Sequence, residues 1–387
     1  VTERVVLVLG SSAGGVGRHV TSLAGMLAAA GATVEVAAPA ETLQRFADGW
    51  SGTAAGAGSI SAHPLEVGAS LDPPRDLRAA LVLRRLLRAG GPPLVHAHGV
   101  RAGLVALLAV RTLRPRPPLV VTLHNAVLGA GRRAALGRRV QSAVCRGADV
   151  VLGVSGDLVA AARAAGARTA ERALVPAPAG VPARDREVVR AQEDLGDALV
   201  VLTVARLAPQ KGLDDLLDVL ATTPRTLTGA GGSQDVVWLL AGDGPLRGEL
   251  ADRIAARRLP VRLLGARRDV PDLLAACDVV VVTSVWEGQP VFVQEALRAG
   301  RPLVATDAGG TREVTGDAAD LAPVHDVGAL AAAVRALLDD PAMRARRGAD
   351  ARRRAAQLPT DADVLAQVRR VFALGRTAAR PKSPGVG

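Results

Sequence analysis

Arg206 and Lys211, five residues apart and both just after the apolar run Leu199 to Val204, are the cations best placed to do chemistry in this chain. A guanidinium and an ammonium on one loop between a strand and a helix reach the same place from two directions, which suits a diphosphate held without metal. Two carboxylates complement them. Glu287 lies on an acidic glycine loop with Gly288 and Pro290, and Glu295 lies seven intervening residues later, in the first turns of the next helix. Acids flanking the free N–H groups of a helix start suit a ligand with hydroxyls at both ends and an anion in the middle, such as a nucleotide sugar. The alternative for these acids is that they only favour the positive end of a helix.

The elements that position these groups alternate regularly. Val279 to Val282 reads as a buried parallel strand ending in Thr283 and Ser284. The helix after Pro290 is expected to pack through Val291, Ala296 and Leu297; Gly300 ends it, Leu303 to Thr306 is a strand, and Gly309-Gly310 turn the chain before Glu313. Leu199 to Val204, Val236 to Leu240 and Val261 to Leu264 are further strands, the last two ending at Gly242-Asp243-Gly244-Pro245 and Gly265. Ligands of open parallel sheets bind at the carboxyl edge, where all these loops emerge.

The N-terminal half repeats the alternation. Val5 to Leu9 is a strand, Gly10 to Gly17 a loop, and Val16, Val20, Leu23 and Leu27 a helical stripe before the strand Thr33 to Ala37. The loop lacks the dinucleotide fingerprint, because Val20 stands where the third glycine belongs and Glu35 sits inside the second strand. Gly14, Gly15 and Gly17 instead offer close backbone approach or a tight turn. Residues 48–74 read as a variable surface connection. From Arg75 a helix places Leu83, Leu86 and Leu87 inward and Arg78, Arg85 and Arg88 together on another side, either a solvated face or one able to lie on anionic lipid. A later helix carries Arg132, Arg139 and Arg146. Strands ending at His96-Ala97-His98 and at His124-Asn125 bring imidazoles to one sheet edge; His96 is read as a strand cap and His124 as functional. The His-x-His pair has no third ligand nearby, so no metal is expected.

At 387 residues the chain exceeds one ordinary core, and two domains are expected. The boundaries read as 1–178, 179–362, a helix 363–378 able to pack back on the first domain, and a disordered tail 379–387, with a proline-rich, then charged, link over residues 176–196. No apolar run approaches the ~20 residues of a membrane span. The start VTERVVLVLGSSAGG reads as a first strand rather than a signal peptide, so the expected location is cytoplasmic with possible membrane association. Cys145 and Cys277 read as small core residues. A net charge of +11, mostly from arginine, favours phosphate-rich partners, while 2% aromatics without tyrosine argue against nucleic acid. The arginine and alanine richness also fits a GC-rich coding bias.

Taken in order, Val204-Ala205-Arg206-Leu207 with Lys211-Gly212, Ala241-Gly242-Asp243-Gly244-Pro245, Glu287-Gly288 with Pro290, Glu295-Ala296, and Gly309-Gly310 with Glu313 resemble glycosyltransferase family 4. The Gly14-Gly15 loop, the strand ends at His98 and His124, and Ser155 extend the likeness over nearly the whole chain. The resemblance implies a retaining enzyme of the GT-B fold, two tandem Rossmann-like doubly wound α/β domains facing across a cleft. It implies that Arg206 and Lys211 bind the donor diphosphate, Glu287 the sugar hydroxyls and Glu295 the ribose. Backbone over Gly288, Gln289, Val291 and Phe292 would assist the phosphates, Gly15 would approach them from the other domain, and Gly265 would lie near the base. His124 would stand beside the reacting centre, with Gly14, His98 and Asn125 on the acceptor side. Two positions depart from the family pattern: Ala179-Gly180 stands where Asn-Gly is usual, and Gln289 where an apolar residue is usual.

The expected activity is transfer of a sugar from a UDP- or GDP-sugar to a lipid, glycan or small-molecule acceptor with no cofactor. A nucleotide-sugar epimerase of the same architecture and a non-catalytic nucleotide-sugar binder are the competing readings.

Overall fold

The computed structural model describes residues 3–379 apart from 13, 48–57, 69, 128, 130, 178–179 and 230–231. In chain order the elements are β1 (Arg4–Leu9), α1 (Gly15–Ala29), β2 (Thr33–Ala38), α2 (Ala40–Arg45), β3 (Ser59–Pro64), α3 (Pro73–Arg88), β4 (Leu94–His98), α4 (Val100–Arg111), β5 (Leu119–Leu123), α5 (Gly131–Gly147), β6 (Val150–Gly153), α6 (Gly156–Ala164) and β7 (Ala170–Arg172). They continue as α7 (Arg186–Gln192), β8 (Leu199–Val204), α8 (Leu213–Thr222), β9 (Thr226–Gly229), β10 (Gly232–Ala241), α9 (Arg247–Ala256), β11 (Val261–Gly265), α10 (Val270–Ala276), β12 (Val279–Val282), α11 (Val291–Arg298), β13 (Leu303–Thr306), α12 (Thr311–Thr315), β14 (Asp320–Ala322), α13 (Val327–Asp339), α14 (Pro341–Ala355) and α15 (Asp361–Ala379). Two compact units result. Unit 1 is Val1–Pro176 with Pro359–Gly387, and unit 2 is Ala177–Leu358.

In unit 1 a parallel sheet runs in the order β3-β2-β1-β4-β5-β6-β7. Such a sheet is covered on both faces, so its central strands are apolar throughout: every residue of β5 is buried. The register pairs Leu9 with His98 and His98 with Thr122, which brings the ends of β1, β4 and β5 to one edge. The helix α15 packs on this unit, where Gln367 accepts from Leu174 N at 2.9 Å and donates to Arg172 O at 2.7 Å.

Unit 2 repeats the plan with the order β11-β10-β8-β12-β13-β14, and β9 adds an antiparallel hairpin to β10. Alternate residues of one run feed two cores. Val200, Leu202, Val280 and Val282 belong to one, and Leu199, Val201, Val279 and Val281 to the other. That division explains why these strands read as unbroken apolar segments.

Three expectations need correction. Residues 48–74 are more than a surface connection, because Ser59–Pro64 pairs with β2 as the sheet's edge strand; it escaped notice because SISAHP is polar and mostly exposed. The charged link contains α7, whose Val189 is fully buried. The helix α11 packs through Val293, Gln294, Ala296 and Leu297, while Val291 is only half-buried. Both cysteines are buried and free, and burial pushes their thiols up to about 11 at Cys145 and about 12 at Cys277. The readings for residue 179 and for residues 380–387 lie outside the described residues. Among the described residues no helix is long and apolar enough to cross a membrane.

Candidate active site

At the carboxyl edge of the unit 2 sheet, three loops are stitched together by backbone geometry. The first leaves β8 and ends at Gly212, whose φ of 58° and close approach leave no room for a side chain: a Cβ there would lie 1.9 Å from Thr283 O. This draws the Lys211 turn against the end of β12. Val285 N donates to Gln210 O at 2.9 Å, Gln210 Nε2 to Trp286 O at 3.0 Å, and Thr283 Oγ1 to Lys211 O at 3.1 Å. From the other side, Gly310 N donates to Glu287 O at 2.8 Å, and Gly309 has φ 54° with no space for a Cβ beside that same oxygen.

The result is a fixed carboxylate. Glu287 Oε1 receives Lys211 Nζ at 2.5 Å and Ser284 Oγ at 2.6 Å. Its side chain keeps only 12% exposure, so the pair is largely shielded from water and its attraction is stronger than at an open surface. Arg206 leaves the same strand on the opposite flank, where Ala205 N bonds Ala241 O at 3.0 Å and Leu207 N bonds Asp243 O at 3.0 Å. It is exposed and makes no ion pair among the described residues. One cation is therefore engaged at rest while the other is open to an anion.

Glu295 is the fifth residue of α11, beyond the first turn, so favouring the positive end of the helix does not explain it. With Val291 and Phe292 it forms a half-buried stripe beginning beside the Glu287 loop. Gln289 is half-buried on that loop, and Gly288 is buried. Gly265 sits at the end of the edge strand β11 with φ 67°, accepting from Gly242 N at 2.7 Å. The contacts bring Lys211 and Glu287 together directly, whereas Arg206, Glu295 and Gly265 share the edge of the sheet.

Unit 1 carries a separate pocket of about 300 Å³ at its own carboxyl edge, with Ser11, Ser12, His98, Arg101, His124 and Asn125 among its lining residues. His98 Nδ1 and His124 Nε2 share a hydrogen bond of 3.1 Å. Behind them His96 Nε2 bonds Thr122 Oγ1 at 2.8 Å, a side-chain contact rather than the expected backbone cap. His19, on α1, completes a cluster of four rings, edge-on to His98 and His124 at 5.7 and 5.8 Å between centroids. Burial disfavours imidazolium here and lowers His19 to about 4 and His96 to about 3; mutual repulsion adds to the effect at His96. His98 and His124 are held well below their ordinary value by burial first and by neighbouring histidines second. All four rings are therefore neutral near pH 7, and His96, His98 and His124 act as hydrogen-bonding groups, not cations.

At Gly17 a Cβ would lie 2.3 Å from the Phe46 ring, which would have to move, whereas a Cβ at Gly14 would meet nothing within 4 Å. Gly14 and Gly15 are exposed at the start of α1. Among the described residues no group of three or more His, Cys, Asp or Glu side chains has the geometry to hold a metal ion.

Sequence reasoning missed two members of these sites. Ser284 reads as a strand end, and its only signal is a hydroxyl three residues before Glu287. His19 lies within the apolar stripe of α1, and its partners are on β4 and after β5.

The family described as Glycosyl transferases group 1 matches residues 185–354, and the Glycosyl transferase 4-like domain matches residues 14–178. The chain belongs to this glycosyltransferase family. Among curated proteins, the glycosyltransferase is 29% identical over 412 residues to a glycogen synthase of Mycobacterium tuberculosis, covering 96% of this chain and 94% of that one. It is 30% identical to the alpha-D-kanosaminyltransferase of Streptomyces kanamyceticus over 167 residues, 42% of each chain. Among solved structures, Anabaena HepE in complex with UDP-glucose superimposes with a TM-score of 0.75 at 21% identity, over 95% of this chain and 99% of that one. The fold of this glycosyltransferase is GT-B, two Rossmann-like domains in one chain.

Proposed function

We propose that this glycosyltransferase takes a sugar from a nucleoside diphosphate sugar, with retention at the anomeric carbon and without a metal ion. The observation that carries the reading is the Glu287 carboxylate, fixed by Lys211 and Ser284 at the same sheet edge as the exposed guanidinium of Arg206. An acid pinned through one oxygen offers its other oxygen to sugar hydroxyls. The cations face the charge that develops on the departing diphosphate, and Glu295 takes the ribose. The complexes of HepE with UDP and with UDP-glucose support a uridine nucleotide as the first donor to test.

In the transfer step, the bond between the anomeric carbon and the diphosphate oxygen breaks as negative charge builds on the phosphate and oxocarbenium character on the sugar. Arg206 and Lys211 stabilise that charge, Lys211 from a position that Glu287 sets before it forms. The acceptor hydroxyl attacks from the face the phosphate leaves, and the phosphate oxygen takes its proton, giving glycoside and nucleoside diphosphate. The unit 1 pocket receives the acceptor. There the neutral imidazoles of His98 and His124 accept from or donate to its hydroxyls without holding a charge.

The test is incubation with a panel of UDP- and GDP-sugars, with and without candidate acceptors, in buffer containing a chelator, followed by mass spectrometry. Slow release of nucleoside diphosphate without acceptor, and a glycoside with the donor's anomeric configuration when acceptor is present, are expected. A new sugar nucleotide would make the protein an epimerase, no turnover of any donor would leave it a binder, and loss of turnover with chelator would remove the metal-free mechanism.

A further inference from the structure

One helical face of unit 1 gathers arginines in a way that the paired arginines elsewhere do not. In unit 2, Arg184, Arg186, Arg253, Arg257, Arg267 and Arg347 are each ion-paired with aspartate or glutamate. In unit 1 the helices α3, α4 and α5 form a layer in which α4 packs against both neighbours. On it Arg78, Arg85, Arg88, Arg132, Arg133 and Arg139 are exposed and make no ion pair among the described residues. Few acids offset the charge: Glu66 pairs with Arg75 near the start of α3 and, with Asp72, lies beside Arg78. Asp76, the one acid on α3, is buried and paired with Arg101, and α5 contains no acid.

Apolar side chains lie among these cations. The buried stripe of α3 is Asp76, Ala79, Ala80, Leu83 and Leu87. The opposite stripe, at spacings of four, four and three residues, is Leu77, Leu81, Arg85 and Arg88, with Arg78 and Val82 beside it. Leu77 is 57% exposed, Leu81 49% and Val82 40%. The neighbouring helices add Leu108 on α4 at 38% and Leu136 on α5 at 47%. Water is a poor solvent for this row of leucines, and a helix needs none of them on its outer side to fold. Interleaved exposed leucine and unpaired arginine is the composition that settles into the headgroup region of a bilayer, with leucine reaching the acyl boundary and guanidinium pairing phosphate.

We propose that the outer face of α3 and α5 is a docking surface for an anionic phospholipid bilayer, with Leu77, Leu81 and Val82 entering the interface and the arginines contacting lipid phosphate. The charge complements lipid phosphodiesters. The exposed leucines distinguish the surface from one built for nucleic acid, which would offer aromatic rings for base stacking. The inference is independent of the donor chemistry, because none of these residues belongs to either polar site.

The experiment is co-sedimentation of the full chain with vesicles of phosphatidylcholine alone and of phosphatidylcholine with phosphatidylglycerol, at low and high salt. Binding to the anionic vesicles alone, weakening as salt screens the arginines, is expected. Two variants separate the contributions. The triple variant Arg78→Gln, Arg85→Gln, Arg88→Gln is expected to lower the partition coefficient about tenfold or more, and Leu77→Ser with Leu81→Ser to lower it comparably while keeping the salt dependence. Because every altered side chain is exposed, circular dichroism and thermal melting should match the parent. Equal binding to neutral vesicles, or undiminished anionic binding by the well-folded leucine variant, would overturn the proposal. So would binding to DNA or polyglutamate as tight as to the anionic vesicles, which would make the face a general anion binder.

Discussion

Replacing Ser284 by alanine removes one hydroxyl and its 2.6 Å hydrogen bond to Glu287 Oε1. The path of the loop is kept, because Thr306 Oγ1 still donates to Ser284 O at 2.5 Å and Gly310 N still donates to Glu287 O at 2.8 Å. In the resting protein Lys211 Nζ continues to hold the same carboxylate oxygen at 2.5 Å, so stability should change little. The cost appears during the reaction. A diphosphate competes for Lys211, and Ser284 is then the remaining side-chain donor to that oxygen. A hydrogen bond to a charged group is worth about 1.5–3 kcal/mol, and about 1.4 kcal/mol is tenfold in rate, so kcat/KM for the nucleotide sugar should fall about ten- to a hundredfold. Affinity for the free nucleoside diphosphate, which lacks the sugar that Glu287 would hold, should shift by less than about twofold. Steady-state kinetics on the best donor, calorimetry with the diphosphate and a melting curve read all three, and Ser284→Thr should restore much of the loss. Undiminished turnover would refute the positioning argument. An equal loss of diphosphate affinity would also refute it, by placing the damage in the cation loop.

Two further outcomes follow from the same geometry. Arg206→Ala and Lys211→Ala should each lower kcat/KM about 10²–10³-fold, and only the lysine variant should also lower the melting temperature, because Arg206 is exposed with no ion pair among the described residues while Lys211 bonds the shielded Glu287; unaltered turnover in both variants would remove the diphosphate assignment. Acidification should destabilise unit 1: His19 and His96 are held below 6.5 by burial, so the unfolded chain takes up protons first, and stability present above pH 6.5 is lost as pH falls towards the folded value of about 4 at His19. For His19 the loss is roughly 2–3 kcal/mol across that window, to be read as a melting temperature that falls between pH 7 and pH 5 and falls less in His19→Gln; a flat profile in the parent would contradict the buried neutral cluster.

The fold was legible wherever burial on both faces of a parallel sheet forces a continuous apolar run. Leu119–Leu123, Leu199–Val204, Val279–Val282 and Leu303–Thr306 fall on the residues read from sequence. It was illegible at the margins, for the same physical reason in reverse. The edge strand Ser59–Pro64 has a neighbour on one side only and no buried residue. The helix Arg186–Gln192 buries only Val189, so its charged surface resembles a linker.

Within the sites, the residues with formal charge stood out because strand ends of a doubly wound sheet must converge on one edge, and Arg206, Lys211 and Glu287 all lie at such ends. The neutral groups that orient them carry no comparable signal. A serine closing a strand looks like any turn residue until Glu287 folds back onto its hydroxyl. His19 looks like a polar interruption of an apolar helix face until β4 and β5 bring His98 and His124 beneath it. Sequence patterns record the preferences of one residue for water or for a local conformation, whereas holding a carboxylate or selecting an imidazole's protonation state depends on its partner. Charged candidates are therefore found from spacing, and the groups that set their geometry are found only once the strands are in register.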